Sequence, residues 1–161
     1  MQNSHIIGGE FGINLQGFQY AQSNNGFLEG IYKYSSGRSA LYYILLDVQK
    51  RYGITTAYLP NYLCSSVVVA AEKSQVKVVF YNLNDQLEID IEKFPLDDNE
   101  KAAVLLINYF GLKSLQLQVE LVRSISMEAI VIEDDVQAFY EFCKPELAAD
   151  YKFTSLRKTF A

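Results

Sequence analysis

Three stretches of the 161-residue chain put reactive side chains next to sequence able to position them. The first, Tyr34-Ser35-Ser36-Gly37-Arg38-Ser39-Ala40, stands just ahead of an apolar repeat of helical spacing. Small residues at a helix start leave amides without intrahelical acceptors, and the helix dipole favours an anion there. A phosphate fits such a turn, with Arg38 or the Ser39 hydroxyl beside it; a plain N-cap, with Ser35 or Ser36 accepting an amide hydrogen bond, fits it too. The second stretch, Ile132-Glu133-Asp134-Asp135-Val136-Gln137, follows an apolar run. Three adjacent carboxylates there need cations or hydrogen-bond donors. No histidines and no second acidic cluster at ligand spacing accompany them, so no metal is expected. A buried carboxylate facing a pyridine nitrogen keeps that nitrogen protonated and makes the ring an electron sink; solvated acids capping the next helix are the alternative. The third, Tyr151-Lys152-Phe153-Thr154-Ser155-Leu156-Arg157-Lys158, ends on a lysine able to form a Schiff base with an aldehyde once its pKa falls from about 10.4. Taken alone, Lys158 is an ordinary exposed lysine.

The elements that must hold these stretches are legible as periodicity. Leu41, Ile44, Leu45 and Val48 predict a helix opening near Arg38 and ending before Gly53. Thr55–Leu59 reads as a short strand stopped by Pro60, residues 65–73 as helical, and Val76–Tyr81 as a β-branched, aromatic strand. Ala102–Ile107 and Ala129–Glu133 flank an amphipathic helix over about 114–127. Their apolar runs lack polar alternation, as in parallel strands buried on both faces. Strands alternating with helices predict an α/β domain whose ligands bind beyond the C-terminal strand ends. Residues 1–34, rich in Gly, Asn, Gln and Ser, read as loops and short strands ahead of an α/β core over 35–161.

Composition removes several classes of function. A formal net charge of -5 gives no Lys/Arg stripe for nucleic acid. No apolar stretch approaches the roughly 20 residues that span a bilayer, and no charged-then-apolar leader opens the chain, so a cytoplasmic protein with no membrane partner is expected. The two cysteines, Cys64 and Cys143, lack metal-ligand spacing, and the one histidine, His5, excludes a Ser-His-Asp triad.

Five segments occur in one order: Ser36-Gly37-Arg38-Ser39-Ala40-Leu41, Leu59-Pro60-Asn61-Tyr62, Ile107-Asn108-Tyr109-Phe110-Gly111, Glu133-Asp134-Asp135-Val136-Gln137 and Ser155-Leu156-Arg157-Lys158. That order resembles the DegT/DnrJ/StrS family of pyridoxal-phosphate enzymes, within the fold-type-I aminotransferase superfamily. The resemblance runs from about Tyr34 to Lys158. It implies a three-layer α/β/α domain with a mostly parallel sheet, a truncated large domain whose C-terminal small domain is missing. It implies pyridoxal 5'-phosphate as cofactor, with Gly37, Arg38, Ser39 and Ser155 at its phosphate. By the same resemblance Asp134 pairs with the pyridine nitrogen, Gln137 lies near the ring hydroxyl, and Asn108 and Tyr109 lie near the ring. Lys158 forms the Schiff base and shuttles the proton. Cys64 stands where the family usually has a ring-stacking aromatic, and whether Cys64 or Tyr62 takes that place stays open, with Tyr62 counted among the cofactor-binding residues. Arg38 replaces the family's usual threonine and Ser39 its usual acidic residue.

The activity so implied is transfer of an amino group from an amino-acid donor to a keto sugar nucleotide, by a homodimer, in the complete protein. The chain ends three residues after Lys158, where family members continue. A related reaction on the same cofactor stays open, as does a catalytically inactive relic or phosphate-binding interaction module. A Rossmann-like nucleotide binder ranks last, because Gly-x-Gly-x-x-Gly is absent.

Overall fold

The computed structural model describes residues 31–143 and 149–159. Residues 1–30, most of the stretch read as loops and short strands, lie outside the described residues, and His5 with them.

Leu41, Leu45 and Val48 form one buried stripe on α1 (Gly37–Tyr52), as their spacing predicts. Ser36 caps this helix, its side chain accepting the Ser39 amide at 3.1 Å. Gly53, at φ 70, closes it with its own amide on the Gln49 carbonyl.

Five strands follow: β1 (Thr56–Pro60), β2 (Lys77–Tyr81), β3 (Ala103–Ile107), β4 (Ile130–Asp134) and β5 (Tyr151–Phe153). They form a single sheet in the order β2-β1-β3-β4-β5, with every pairing parallel. Between them run α2 (Ser65–Ser74), α3 (Gln116–Ile125) and the short α4 (Phe139–Phe142), and α5 (Leu156–Thr159) follows β5. The step from β1 to β2 runs opposite to the step from β3 to β4. Right-handed crossovers therefore put α2 and α3 on opposite faces. The two cores agree: α1 and α2 pack over Ala57, Leu59, Leu105, Ile132 and Phe153, while Val119 and Val122 of α3 pack over Val104, Leu106 and Val131. The molecule is the expected three-layer α/β/α arrangement with a parallel sheet. Among the described residues no helix is long and apolar enough to cross a membrane.

Most elements lie within a residue or two of their sequence-predicted bounds, and the differences have local causes. Pro60 does not stop β1 but is its last, buried residue. It has no amide to give, and pairing resumes at Asn61, whose amide reaches the Tyr81 carbonyl at 2.8 Å. The α3 helix is two residues shorter at each end than its periodicity suggests; at its C-terminal end the Ser126 hydroxyl turns to the Glu100 carbonyl. β5 and α4 are too short for a periodic signal.

The C-terminal ends of the strands share one edge, and α1 begins there. A Cβ on Gly37 would meet the Val136 side chain at 3.0 Å and the Phe153 ring at 3.6 Å, so only glycine lets the helix start approach this closely. The Tyr151 hydroxyl, donating to Asp47 Oδ2 at 2.7 Å, ties the same helix to β5. The layering has a direct test by urea unfolding. Leu105→Ala, in the central strand and fully buried, is expected to lower stability by about 2–5 kcal/mol. Leu117→Ala, on the solvent side of α3 and 77% exposed, should change it by less than about 0.5 kcal/mol.

Candidate functional site

Every strand but the edge strand β2 delivers a sequence-predicted site residue to this edge. Tyr62 follows β1, Asn108 follows β3, Asp134 ends β4 with Gln137 three residues on, and Ser155 follows β5. Lys158 follows on α5, its amide bonded to the Ser155 carbonyl at 3.1 Å. The backbone ladder extends past the strands: the Asn108 amide reaches the Asp134 carbonyl at 3.0 Å, and the Asp135 amide reaches the Phe153 carbonyl at 2.9 Å. These bonds hold the β3, β4 and β5 exits side by side.

Asp134 is 6% exposed and lies, with Ile132, on the face covered by α1 and α2. Its Oδ1 accepts the Val136 amide at 2.9 Å. Burial pushes its carboxyl up to about 6, against the pull of the Val136 hydrogen bond and the Lys158 ammonium. The Lys158 charge is also felt at Cys64, whose thiol is lowered chiefly by a hydrogen bond from the Ser66 hydroxyl at 3.3 Å. Lys158 thus stands among the exits of β1, β4 and β5. Tyr109 lies near the same carboxylate: burial first, and the Asp134 charge second, raise its phenol. Its hydroxyl donates to the Tyr62 carbonyl, joining the β1 and β3 exits across the point where strand order reverses.

At the start of α1, the Ser39 hydroxyl sits 3.0 Å from that of Ser36 and 3.1 Å from that of Ser35. The plain N-cap is therefore present. The Gly37 and Arg38 amides of the first turn have no acceptor among the described residues. The Arg38 side chain is exposed, and Tyr62 is 60% exposed, its ring 5.7 Å from that of Tyr109.

A cavity of about 320 Å³ opens beside this edge, lined by Phe110, Gly111, Gln137, Phe139, Glu141 and Lys158 among others. Of the expected site residues it takes in only Gln137 and Lys158; the others lie at or just after strand ends or, for Gly37, Arg38 and Ser39, open α1. The Gln137 side-chain oxygen accepts the Phe110 amide at 3.4 Å. Phe110 and Gly111 both have positive φ, 61 and 65, and a Cβ on Gly111 would meet Ala138 at 3.2 Å. The turn after β3 and the chain after β4 are thereby packed together at the mouth of the site.

The sequence did not single out what lies on the other face of β4. Glu133 and Asp135 point away from Asp134 and are themselves buried, with Lys152 Nζ at 3.6 Å and 3.5 Å from their carboxylates. Asn108, 2% exposed, turns to the same side and donates from Nδ2 to Asp135 Oδ1 at 3.2 Å. The signal that could have found this cluster is alternation: consecutive residues of a strand face opposite sides, so 133 and 135 cannot share the surroundings of 134. Among the described residues no group of His, Cys, Asp and Glu could hold a metal ion.

No protein family and no curated protein matches the chain in sequence. Solved structures do match in fold. A psychrophilic aromatic amino acid aminotransferase from Psychrobacter sp. B6 aligns over 75% of this chain and 36% of its own, at 16% identity and a TM-score of 0.53. A DegT DnrJ EryC1 StrS aminotransferase from Brucella abortus aligns over 64% of this chain and 30% of its own, at 15% identity and a TM-score of 0.46. A 3-amino-5-hydroxybenzoic acid synthase aligns over 64% and 27%, at 17% identity and 0.49. The first of these shows that the chain has an aminotransferase-like fold. The chain spans between 27% and 36% of the lengths of these three structures.

The burial of Asp134 carries a pH prediction. Its carboxyl is raised from 3.8 to about 6, so between those values the folded state binds more protons than the unfolded one. Its contribution to stability is fully present below pH 4 and is lost as pH rises through 6. Asp134→Asn keeps an acceptor for the Val136 amide and should be more stable than wild type at pH 7.5, by on the order of 2–3 kcal/mol. At pH 3.5 the two should be nearly equal. Denaturant melts at both pH values decide it, and an unchanged gap between them would mean that ionising Asp134 costs the fold nothing.

Proposed function

We propose that this chain is the cofactor-binding part of a pyridoxal-phosphate-dependent aminotransferase of the DegT/DnrJ/StrS kind. The observation that carries the reading is the gathering, at one sheet edge, of a raised, buried carboxylate, a lysine whose charge reaches it, and two helix-start amides with no acceptor among the described residues. The residues fit the group. The free amides of Gly37 and Arg38, with the Ser39 and Ser155 hydroxyls close by in the fold, suit a phosphate. Asp134, fixed by the Val136 amide on one oxygen, is the natural partner for a ring nitrogen, with Gln137 beside the cavity for the ring hydroxyl. Tyr109 borders the same space, whereas Asn108, expected near the ring, turns its side chain to Asp135 on the other face of β4, and Tyr62, tied to Tyr109, takes the stacking side that Cys64 leaves without an aromatic.

When bound, pyridoxal phosphate supplies an aldehyde for a covalent link and a ring that accepts electrons. The chain's own groups do the rest. The deprotonated Lys158 amine could add to the aldehyde carbon with loss of its oxygen as water, and once the donor's amine had displaced it, the freed amine could take a proton from one carbon and return it to another. Asp134 keeps its negative charge beside a protonated nitrogen, where the opposite charge offsets the burial that otherwise raises its pKa.

An amino acid as donor and a keto sugar nucleotide as acceptor belong to this reading through the family resemblance. So does a second copy of the chain, supported by the exposed Phe110 and Tyr140 at the cavity and the exposed Leu112 near them in the chain. A cytoplasmic setting is in keeping with two free cysteines. Division of the complete protein into this large domain and a further small one belongs to the reading through the same family resemblance.

The test is absorbance of the purified chain with added pyridoxal phosphate, before and after borohydride, beside Lys158→Ala. A visible band that borohydride fixes covalently on wild type, and at least about tenfold less adduct on the variant, is expected if Lys158 is the one nucleophile of the site. An equal adduct on both, or none on either, would remove Lys158 from the role and favour a phosphate-binding module without catalysis.

A further inference from the structure

The buried ions behind β4 have no part in the chemistry proposed for Asp134, yet they touch the site's wall. Lys152 stands directly across from Glu133 in the register of β5 with β4. Its side chain is 9% exposed, and its Nζ makes three contacts: Glu133 Oε2 at 3.6 Å, Asp135 Oδ2 at 3.5 Å and the Glu141 carbonyl at 3.1 Å. Glu141 belongs to α4, the short helix that walls the cavity together with Gln137 and Phe139. Asp135 is fully buried, and its Oδ2 has no hydrogen-bond donor among the described residues but lies 3.5 Å from the Lys152 ammonium. Its other oxygen takes the Asn108 side chain, which starts the turn that forms the opposite lip of the cavity. Cys143, just past α4, is the further titratable group that feels Asp135.

We infer that Lys152 is a positioning residue for the candidate site: with Glu133 and Asp135 it clamps the α4 wall and the Asn108 turn to the end of β4. An ammonium held between two buried carboxylates and a carbonyl ties the three together, because losing it leaves the Glu133 and Asp135 carboxylates buried without their cation. A four-residue helix has too few turns to hold itself in place, so the Lys152 ammonium on the Glu141 carbonyl adds a tie between it and the sheet. Gln137 and Phe139 then keep their places relative to Asp134 through Lys152, on the far side of the strand from the proposed cofactor. The link to that cofactor rests on the aminotransferase reading; the clamp itself does not.

The experiment compares the full chain with Lys152→Met and with the triple variant Lys152→Met/Glu133→Gln/Asp135→Asn. Removing one partner of a buried ion cluster is strongly destabilising, whereas removing all the charge is far less so, and the triple variant therefore keeps the test open if Lys152→Met does not fold. Hydrogen exchange is read at the amides of Glu141, Phe142 and Cys143, which bond to Ala138 and Phe139, and at those of β3. Exchange roughly tenfold faster in the α4 wall, with β3 unchanged, is expected of a local clamp. Wild-type exchange in the wall, or equal acceleration of wall and β3, overturns it. In the same proteins the pyridoxal phosphate concentration giving half the borohydride-fixable adduct should rise roughly tenfold when the wall is loosened. An unchanged half-point beside a loosened wall overturns the connection to the site. If wild type forms no adduct, the aminotransferase reading fails, and the exchange rates alone decide the clamp.

Discussion

The pleat of β4 is the constraint on which the site depends. Three consecutive acids, Glu133, Asp134 and Asp135, leave a strand that is paired in register with β3 on one side and β5 on the other. Alternation sends Asp134 to the face under α1 and α2, and its two neighbours to the opposite face. A one-residue slip would exchange them, putting Asp134 against Lys152 and leaving two carboxylates where a single one stands near Lys158. The parallel pairings, backed by continuous apolar burial in β3 and most of β4, make that slip expensive. The chemistry at the edge is in this sense a consequence of hydrophobic register.

The two faces solve the problem of buried charge differently. Behind the strand, Lys152 serves two carboxylates at once, and burial together with the neighbouring Glu133 still pushes Asp135 up to about 7. In front, Asp134 has one backbone amide and a more distant ammonium, and burial dominates. A carboxylate left short of partners in a cleft is a common mark of a functional position, because a fold selected for stability alone would supply the missing donor. The left-handed Phe110 beside it is a second local cost at the same edge, accepted where the turn after β3 packs on Ala138.

Much of the layer structure was legible in the sequence. Leu41, Leu45 and Val48 announced α1 by spacing, and Ser36 and Gly53 marked its ends. The unbroken apolar runs of β3 and β4 announced parallel strands, and the polar residues after them pointed to the working edge. Pro60 misled because a proline at the last position of a strand needs no amide there, so it reads as a stop while remaining buried in the sheet. β5, with three residues, and α4, with four, carry too few side chains for any period to appear, and both owe their existence to neighbours.

By itself the sequence determined which of the longer segments are helix and which are strand, because period and apolar content are local properties of a chain. It also supplied the side chains from which a phosphate turn, a ring carboxylate and a Schiff-base lysine can be made. Only the tertiary structure decided which of three adjacent acids faces Lys158, that Lys152 is spent on the other two, and that the Gly37 turn meets Val136 and Phe153. Those are questions of strand register, crossover hand and close approach between residues about a hundred positions apart. No local pattern encodes them; they are fixed when the two faces of the sheet are buried together.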